Sequence, residues 1–352
     1  MTRARTRTAH RTYTDVAATQ VLTLAEAEAI ATAALAANRT SATNASQTAR
    51  ALVAAEADGQ PGHGLSRVPS YALQARCGKV DGFATPALYR AAPAAIRIDA
   101  RHGFAYPAIE LAIAELSGLA RSEGIAIAAL RHSHHFGVAG AHVEKLATQG
   151  LVALLFGNTP QAMPFWGGKR SALGTNPIAF AAPLPGGRAP LVIDMALSVA
   201  ARGKIVAAQR AGKLIPADWA VDAAGNPTTD PGAALGGSLA PVGGAKGASL
   251  ALMVEILAAA LTASAFGWEA SSMFDDKGGP PDVGQTFLAI DPVALSGGAF
   301  EARMEVLIAA MAAETQVRHP GSRRLAARAR SDSDGLQIPA ALVAEIRALA
   351  SA

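Results

Sequence analysis

Short apolar runs alternate with longer Ala-rich stretches of helical periodicity through most of the chain. Runs of apolar residues bounded by Gly, Pro or Asn are typical of strands, whereas apolar positions that recur with the helical period are typical of helices. These patterns predict strands at 95–99, 125–130, 152–156, 178–182, 191–194 and 286–290. They predict helices at 45–58, 107–123, 138–149, 198–211, 249–263 and 301–313. Strands interleaved with helices favour an α/β fold with ligands at the strand ends.

Both ends of this pattern carry a further signal. Thr23 and Glu26 have the spacing of a capping box, provided that Glu26 is the third helical residue. The late strand at 286–290 and the helix at 301–313 indicate that the C-terminal part returns to the N-terminal lobe. We therefore expect one lobe to be built from both chain ends.

The longest apolar stretch, 250–268, approaches the length of a membrane span. Glu255 lies inside it, and an ionisable residue is costly in lipid. A Gly-rich loop at 243–247 precedes it, as is typical before a helix. The stretch is therefore predicted to be a buried helix of a soluble domain, with no membrane partner.

The formal net charge of +4 comes from the first eleven residues, which contain Arg3, Arg5, Arg7 and Arg11 and no acid, so the remainder is close to neutral (4 − 4 = 0). Nucleic-acid binding needs a basic stripe on a folded face, and none is apparent, so we expect no nucleic-acid partner. Residues 1–20 are predicted to be a disordered extension, although their composition also resembles an organelle transit peptide.

The single cysteine, Cys77, excludes an intrachain disulfide framework and fits a reducing compartment. The start of the chain lacks the apolar segment of a secretory signal. With 352 residues, the chain can bury a substantial core. A cytoplasmic enzyme is the expectation.

Loops rich in Gly, Asn and Pro lie beside the predicted strands, at 157–160, 174–177 and 243–247. Such residues permit unusual backbone conformations and let backbone N–H groups approach a ligand. The Gly-x-Gly-x-x-Gly of an ordinary Rossmann site is absent, and a P-loop would need Gly-Lys-Ser/Thr where this chain has Ala-Lys-Gly. The loops predict a pyrophosphate site of another kind, with Lys246 beside a helix N-terminus. Each loop alone could equally be a simple turn.

His63, Arg67 and Tyr71 follow one another at intervals of four residues, which would place them on one face of a helix. His63 stands between Gly62 and Gly64 and is a candidate general acid, because imidazole titrates near neutrality. Arg67 is a candidate carboxylate ligand, because its planar fork can form two hydrogen bonds. The alternatives are a surface histidine, a surface arginine and a core tyrosine.

A histidine cluster, His132, His134 and His135, follows a predicted strand. A catalytic zinc needs three correctly aimed ligands, which this spacing does not ensure, so we expect no metal. Asp194 ends another predicted strand. It is a candidate to stay ionised beside His63, to contact a cofactor or an imine nitrogen, or only to cap the following turn.

These motifs, in this order, resemble the malate/L-lactate dehydrogenase family of the non-Rossmann type. This family also contains sulfolactate, ureidoglycolate and diketogulonate enzymes and cyclic-imine reductases, and the resemblance covers roughly residues 20–330. It implies an α/β, non-Rossmann nucleotide-binding domain with a mixed sheet at 110–280. It also implies a helical lobe formed by 21–109 and 281–352, and a homodimer with the site near the subunit interface.

The resemblance assigns His63 and His135 to the active site, beside the candidate Asp194, and Arg67 and Tyr71 to substrate binding. The predicted cofactor-binding residues are Asn158, Gly174, Thr175, Asn176, Pro177, Asp194, Met195, Ala196, Lys246, Gly247, Pro320 and Gly321. Gly62 stands where the family usually has Ser, which removes any hydroxyl contact at that point.

We therefore expect an NAD(P)-dependent oxidoreductase that interconverts a small anionic 2-hydroxy acid, of the malate, lactate or 3-sulfolactate type, and its 2-oxo acid. Gly62 and the stretch 273–281 look more like the hydroxy-acid members than the cyclic imino-acid reductases, which are the alternative. A catalytically silent metabolite-binding relative would be expected to lose His63 or Arg67, and both are present.

The choice between NADP and NAD depends on a cation or hydroxyl near the ribose. Four cations are candidates for a 2′-phosphate: Arg202, Lys204, Arg323 and Arg324. NADP is favoured slightly over NAD. Lys277, in the stretch 273–281, is expected to be a solvated loop lysine rather than a ligand for a second anionic group.

Overall fold

Residues 18–351 are described by the computed structural model, so most of the predicted N-terminal extension lies outside the described residues. The strands are β1 (Thr19–Leu22), β2 (Ala87–Ala92), β3 (Ala95–Asp99), β4 (Ile125–Ser133), β5 (Val152–Gly157), β6 (Met163–Pro164), β7 (Ser171–Leu173), β8 (Ile178–Ala182), β9 (Leu191–Met195), β10 (Ala220–Val221), β11 (Ser238–Leu239), β12 (Val283–Ile290) and β13 (Leu336–Pro339). The helices are α1 (Leu24–Ala37), α2 (Ala42–Ala57), α3 (Val68–Arg76), α4 (Ala105–Glu123), α5 (Ala139–Thr148), α6 (Arg202–Arg210), α7 (Pro231–Gly236), α8 (Ala245–Glu255), α9 (Pro292–Ser296), α10 (Phe300–Ala312), α11 (Ser322–Asp334) and α12 (Ala340–Leu349).

A seven-stranded mixed sheet organises the chain, in the order β2-β3-β4-β12-β5-β8-β9. Only β3 and β4 run parallel; every other neighbouring pair in this sheet is antiparallel. Alternate residues of a strand point to opposite faces, so Leu155 of β5 joins the core with α4 and α5, whereas Phe156 joins the core with α8. The sheet therefore lies between two helical layers, and the predicted α/β fold is confirmed.

One edge of the sheet collects the loops on which the motifs lie. Strands β4, β5 and β9 end at this edge and β8 and β12 begin there, because the register pairs Ser133 with Val283 and Ile178 with Met195. Chain segments that are far apart in sequence consequently meet along a single line at this edge.

A separate helical core contains residues from both ends of the described chain. Strand β1 pairs with β13, and Leu22 and Leu35 share this core with Val343 and Ile346. The C-terminal part thus returns to the N-terminal lobe through β13 and α12, whereas the strand from which this return was predicted, 286–290, belongs to β12 of the central sheet. The domain boundaries at 110 and 280 stay a prediction. The central sheet includes β2, β3 and β12, which lie outside that range.

Several local predictions can be compared with the observed elements. Thr23 and Glu26 form the predicted capping box, with the Thr23 N–H donating to Glu26 Oε2 at 2.8 Å and the Glu26 N–H donating to Thr23 Oγ1 at 3.2 Å. The helix predicted at 198–211 begins only at Arg202, because Ser198 pairs with Pro241 and the Val199 N–H donates to Ala240 O.

The predicted buried helix at 249–263 consists of α8 and a π-helical segment, Ile256–Ala260. One face is buried, but Leu250 is 41 % exposed, and Ile256 and Leu261 are each 53 % exposed. The prediction of a buried helix therefore holds for one face of this segment and is wrong for the other in the single chain. No helix within residues 18–351 is long and apolar enough to cross a membrane.

Candidate active site

The loops at the sheet edge have backbone shapes that explain their composition. Asn176, just before β8, adopts a φ of +41°, which asparagine tolerates better than most residues. Gly174 packs so closely that a Cβ atom would lie 2.2 Å from Thr159 O, and a Cβ at Gly247 would lie 1.8 Å from Val242 O. Packing within the chain therefore requires these two glycines, whatever else the loops bind.

His63 and Arg67 lie on two successive 3₁₀ turns, Pro61–His63 and Leu65–Arg67, and α3 begins only at Val68. The prediction of one helical face for His63, Arg67 and Tyr71 is wrong in this detail, because the backbone breaks at Gly64 (φ −97°, ψ −140°). A Cβ at Gly64 would lie 2.2 Å from a carboxylate oxygen of Glu56 on α2, so a side chain here would displace the carboxylate that accepts the Leu65 N–H.

The turns nevertheless bring the predicted imidazoles together. The ring centroids of His63 and His135 are 5.3 Å apart, although the residues come from different loops. His135 is buried, and its Nδ1 lies 2.5 Å from the Tyr71 hydroxyl, which is 3.4 Å from the Tyr106 hydroxyl. Burial raises the pKa of Tyr71 to about 12, so this phenol stays protonated at neutral pH.

Electrostatics keep both imidazoles neutral. Burial, followed by the nearby positive charge of Arg67, lowers the pKa of His63 to about 4. The same two causes, in the same order, hold the pKa of His135 well below its ordinary value. Any anion that neutralises Arg67 would therefore raise the pKa of both histidines.

Arg67 is held from two sides. Its Nε donates to Gly62 O at 2.7 Å, and its Cζ lies 4.7 Å from the centre of the Phe274 ring. Within residues 18–351, its two terminal nitrogens have no acceptor at hydrogen-bonding distance, and the residue is half-buried. These nitrogens are available to a planar anion such as a carboxylate.

Asp194 contacts the first turn of α5. Its Oδ2 accepts the Gly140 N–H at 2.7 Å, at the start of α5. The carboxyl lies in a groove, where the surrounding protein displaces water and so raises its pKa. The hydrogen bond from Gly140 and the positive charge of Arg324 act in the opposite direction. The groove is lined by Gln60, Gly140, Val192, Asp194, Arg318, Gly321, Ser322, Arg323 and Arg324.

Asn158 and Asn176 are fully buried around Glu255 of α8. Asn176 Nδ2 donates to Glu255 Oε2 at 2.7 Å, Asn158 Nδ2 donates to Glu255 Oε1 at 3.3 Å, and the Gly267 N–H donates to Oε1 at 2.6 Å. The two amide side chains thus fasten the loops to α8.

The other predicted cofactor residues lie on four segments. Thr175 and Pro177 flank Asn176, and Met195 and Ala196 are exposed at the end of β9. Lys246 is exposed in the first turn of α8, and the Val242 N–H of the preceding loop donates to Leu197 O. Pro320 and Gly321 precede α11, and Gly321 has a φ of +80°.

The four candidate phosphate cations differ in their surroundings. Arg324 is paired with Asp58 and Glu144. Arg202 donates to Leu235 O at 3.1 Å, and Lys204 lies 5.8 Å from the centre of the Trp219 ring. Arg323 lines the groove beside Asp194, and no salt bridge engages it in the described part of the chain.

The remaining histidines of the cluster have internal partners. His134 Nε2 lies 2.8 Å from Gln74 Oε1, and His132 Nδ1 lies 2.9 Å from Asp99 Oδ1. Across residues 18–351, no group of three or more His, Cys, Asp or Glu side chains is arranged to hold a metal ion.

Three residues near this site escaped the sequence analysis: Gln74, Lys79 and Tyr106. Tyr106 contacts Tyr71 from α4, and the other two contact the loop that carries Phe274. Gln74 lies three residues after Tyr71, so an extension of the same helical face was a signal that could have found it. Lys79 and Tyr106 carry no local signal.

This chain is similar to known dehydrogenases and reductases over nearly its whole length. A family model for malate/L-lactate dehydrogenase matches residues 22–347. A (2R)-3-sulfolactate dehydrogenase (NADP(+)) of Chromohalobacter salexigens is 52 % identical over 331 residues, which are 94 % of this chain and 98 % of that protein. A Δ1-pyrroline-2-carboxylate reductase of Ancylobacter novellus is 41 % identical over 93 % of this chain and 97 % of its own length. The crystal structure of Δ1-piperideine-2-carboxylate reductase from Pseudomonas syringae superposes with a TM-score of 0.89 at 38 % identity, covering 94 % of this chain and 99 % of that one.

Proposed function

This chain belongs to the malate/L-lactate dehydrogenase family, and from that premise we propose that it interconverts a small 2-hydroxy acid and its 2-oxo acid with a nicotinamide cofactor. One observation carries the proposal. Two neutral imidazoles, His63 and His135, lie 5.3 Å apart beside Arg67, whose terminal nitrogens are free for a carboxylate.

Arg67 suits the substrate carboxylate, and His63 suits the proton transfer. A carboxylate on Arg67 would offset the positive charge that lowers the pKa of His63, so binding itself would prepare His63 to hold a proton. Neutral His63 would take the proton of a 2-hydroxy group, and protonated His63 would return it to a 2-oxo oxygen.

His135 suits a hydrogen-bonding role. Because Tyr71 stays protonated and its hydroxyl lies closer to His135 than to Tyr106, it can donate to Nδ1. The neutral ring would then carry its proton on Nε2, where it can donate to a substrate oxygen. Asp194, which contacts Gly140, is better placed to bind the cofactor than to assist His63.

The groove beside Asp194 fits a nicotinamide cofactor. Two helix N-termini, those of α5 and α11, border it together with Arg318 and Arg323, and helix N-termini and cations both favour phosphate. A bound cofactor would supply or accept the hydride. We infer NADP rather than NAD, because Arg323 faces this groove without a carboxylate partner among residues 18–351 and the sulfolactate relative is named for NADP(+).

Among the candidate substrates we favour a 3-sulfolactate-type acid, because the 52 % identical relative is named as a (2R)-3-sulfolactate dehydrogenase. The experiment that tests the proposal offers oxaloacetate, pyruvate, sulfopyruvate and Δ1-piperideine-2-carboxylate in parallel with NADPH and with NADH, and follows cofactor oxidation. We expect the highest kcat/KM with a 2-oxo acid and NADPH. A large preference for the cyclic imine would instead support the reductase activity named for the 41 % identical relative.

We also infer a homodimer that covers the exposed apolar face of α8 and the π-helical segment. Leu250, Leu252, Met253, Ile256 and Leu261 are each at least 38 % exposed in the single chain, although they lie in one of its most apolar stretches. A contiguous exposed apolar face of this kind is typical of protein interfaces.

A reducing compartment such as the cytoplasm is our proposal for where the protein acts. Cys77 is free and exposed, contrary to the usual burial of an unpaired cysteine. An exposed thiol persists most readily where the surroundings are reducing.

A further inference from the structure

A buried lysine holds the loop that carries Phe274. Lys79 follows α3, and its side chain is 1 % exposed. Its Nζ donates to Lys277 O at 2.6 Å and to Asp275 O at 3.2 Å, and it lies 3.6 Å from Asp275 Oδ1. A buried ammonium is costly unless its donors are satisfied, and here they meet acceptors from one loop only, 275–277.

Gln74 binds the same loop from the preceding turn of α3. It is fully buried, and its Nε2 donates to Asp275 O at 3.0 Å. Its Oε1 meets His134 Nε2 at 2.8 Å, next to His135 in the chain. Two buried side chains therefore fix one exposed loop, and Gln74 also contacts the segment that carries His135.

Phe274 lies immediately before the anchored residues 275–277, and its ring packs against Arg67. The ring is 4.7 Å from Arg67 Cζ, yet the residue remains 67 % exposed. The ring therefore lies against the candidate carboxylate ligand while much of its own surface remains open to solvent. With Arg67 Nε bound to Gly62 O, the ring covers one face of the guanidinium and leaves its terminal nitrogens for the carboxylate.

We propose that Lys79 is a positioning residue and Phe274 a specificity-determining residue for the substrate carboxylate site. This inference rests on the proposed function. Lys79 and Gln74 fix the loop, the loop places Phe274 against Arg67, and the ring limits how large a group can lie beside the bound carboxylate. Lys79 acts only through Phe274 and touches neither substrate nor cofactor.

The experiment compares Lys79→Met, Phe274→Ala and the double variant with wild type, and uses the exposed Lys213→Met as a matched control. We expect Lys79→Met and Phe274→Ala each to raise KM for the 2-oxo acid about tenfold, with kcat and cofactor Kd changed less than about threefold, because only substrate positioning is lost. Phe274→Ala should also improve the relative kcat/KM of longer 2-oxo acids. Lys213→Met should behave as wild type.

The double variant decides whether Lys79 acts through Phe274. Its KM should equal that of Phe274→Ala alone; multiplied effects, about a hundredfold in total, would overturn the proposal. Hydrogen exchange provides a readout that does not need turnover, since Lys79→Met should accelerate exchange of the amides at 273–279 and leave α4 unchanged. Unaltered exchange at 273–279 would reject the anchoring by Lys79. Absence of turnover of any 2-oxo acid by the wild type would instead reject the proposed function, and the exchange result would still decide the anchoring.

Discussion

The Tyr71 hydroxyl lies 2.5 Å from Nδ1 of His135, so a residue of α3 fixes an imidazole that follows β4. This contact joins the helical lobe to the loop edge of the sheet. His63, in contrast, has no side-chain hydrogen bond within residues 18–351, and its ring remains free to exchange a proton with a ligand. The two imidazoles therefore differ in what their surroundings allow.

Replacement of the proton-transfer group tests this difference. His63→Ala should lower kcat by about 10² to 10⁴, the range typical of a lost general acid or base, while cofactor Kd stays unchanged. Steady-state kinetics in both directions measure the effect, and circular dichroism verifies the fold. If His63→Ala keeps its kcat and its pH dependence while His135→Ala loses both, the roles are the reverse of those proposed.

Removal of the guanidinium should change binding and acidity together. Arg67→Met should lower kcat/KM by about 10² or more, because a charge-assisted, bidentate contact with the carboxylate is lost. It should also raise the pKa of His63, since the positive charge of Arg67 helps to lower it to about 4. The pH profile of kcat/KM measures the shift. An unchanged acidic limb would mean that Arg67 does not influence the catalytic group, and Arg76→Met, exposed at the end of α3, serves as the matched control.

The sequence predicted the local parts of this arrangement well. Strand β3 and strand β8 have the predicted bounds, because short apolar runs ended by turn residues are signals that neighbouring residues alone provide. His63 and Arg67 could be identified for a similar reason, since the two glycines that flank His63 and the four-residue spacing to Arg67 are local features. The glycine at 64 was also the reason why the predicted single helical face failed.

Long-range contacts were not predictable in this way. Gln74 and Asp275 are separated by 201 positions, and no periodicity links a residue of α3 to a distant loop. The exposed face of α8 was predicted to be buried, because an apolar composition indicates burial. Composition does not indicate whether another element of the same chain or a second chain covers that face. Asp194 was correctly placed at a strand end, but its contact with Gly140 depends on the packing of α5 against β9.

Cofactor preference should depend on a single groove cation. Arg323→Ala should raise KM for NADPH about 10- to 100-fold, as expected for the loss of one charge-assisted contact with a phosphate, and change KM for NADH little. Arg330→Ala, on the same helix but outside the groove, is the control. Equal losses with both cofactors would indicate that Arg323 binds the pyrophosphate or supports the loop, and not the 2′-phosphate.

Acid should destabilise the fold through buried neutral histidines. Burial lowers the pKa of His134 to about 3 and that of His142 to about 4, from 6.5. Because the unfolded chain binds these protons more readily, their contribution to stability is complete above pH 6.5 and is lost as the pH falls towards 4. Urea unfolding at several pH values should show a slope of up to about 1.4 kcal/mol per pH unit for each histidine. His142→Gln keeps a donor for Phe136 O and should reduce this slope; an identical slope would exclude His142 as a source.

A charge placed on the exposed face of α8 should separate the subunits. Ile256→Asp would bury an unpaired carboxylate in the proposed interface, at a cost of several kcal/mol, and so raise the dimer dissociation constant by about 100-fold or more. Light scattering after size exclusion measures the mass, and activity assayed over a dilution series should fall with the dimer fraction if the site lies near the interface. Val293→Asp is the matched control, because Val293 is 59 % exposed on α9, which follows the end of β12 opposite the loop edge. A wild-type protein that is monomeric at full turnover would reject the homodimer, whereas a dimeric Ile256→Asp variant would assign the interface to another face.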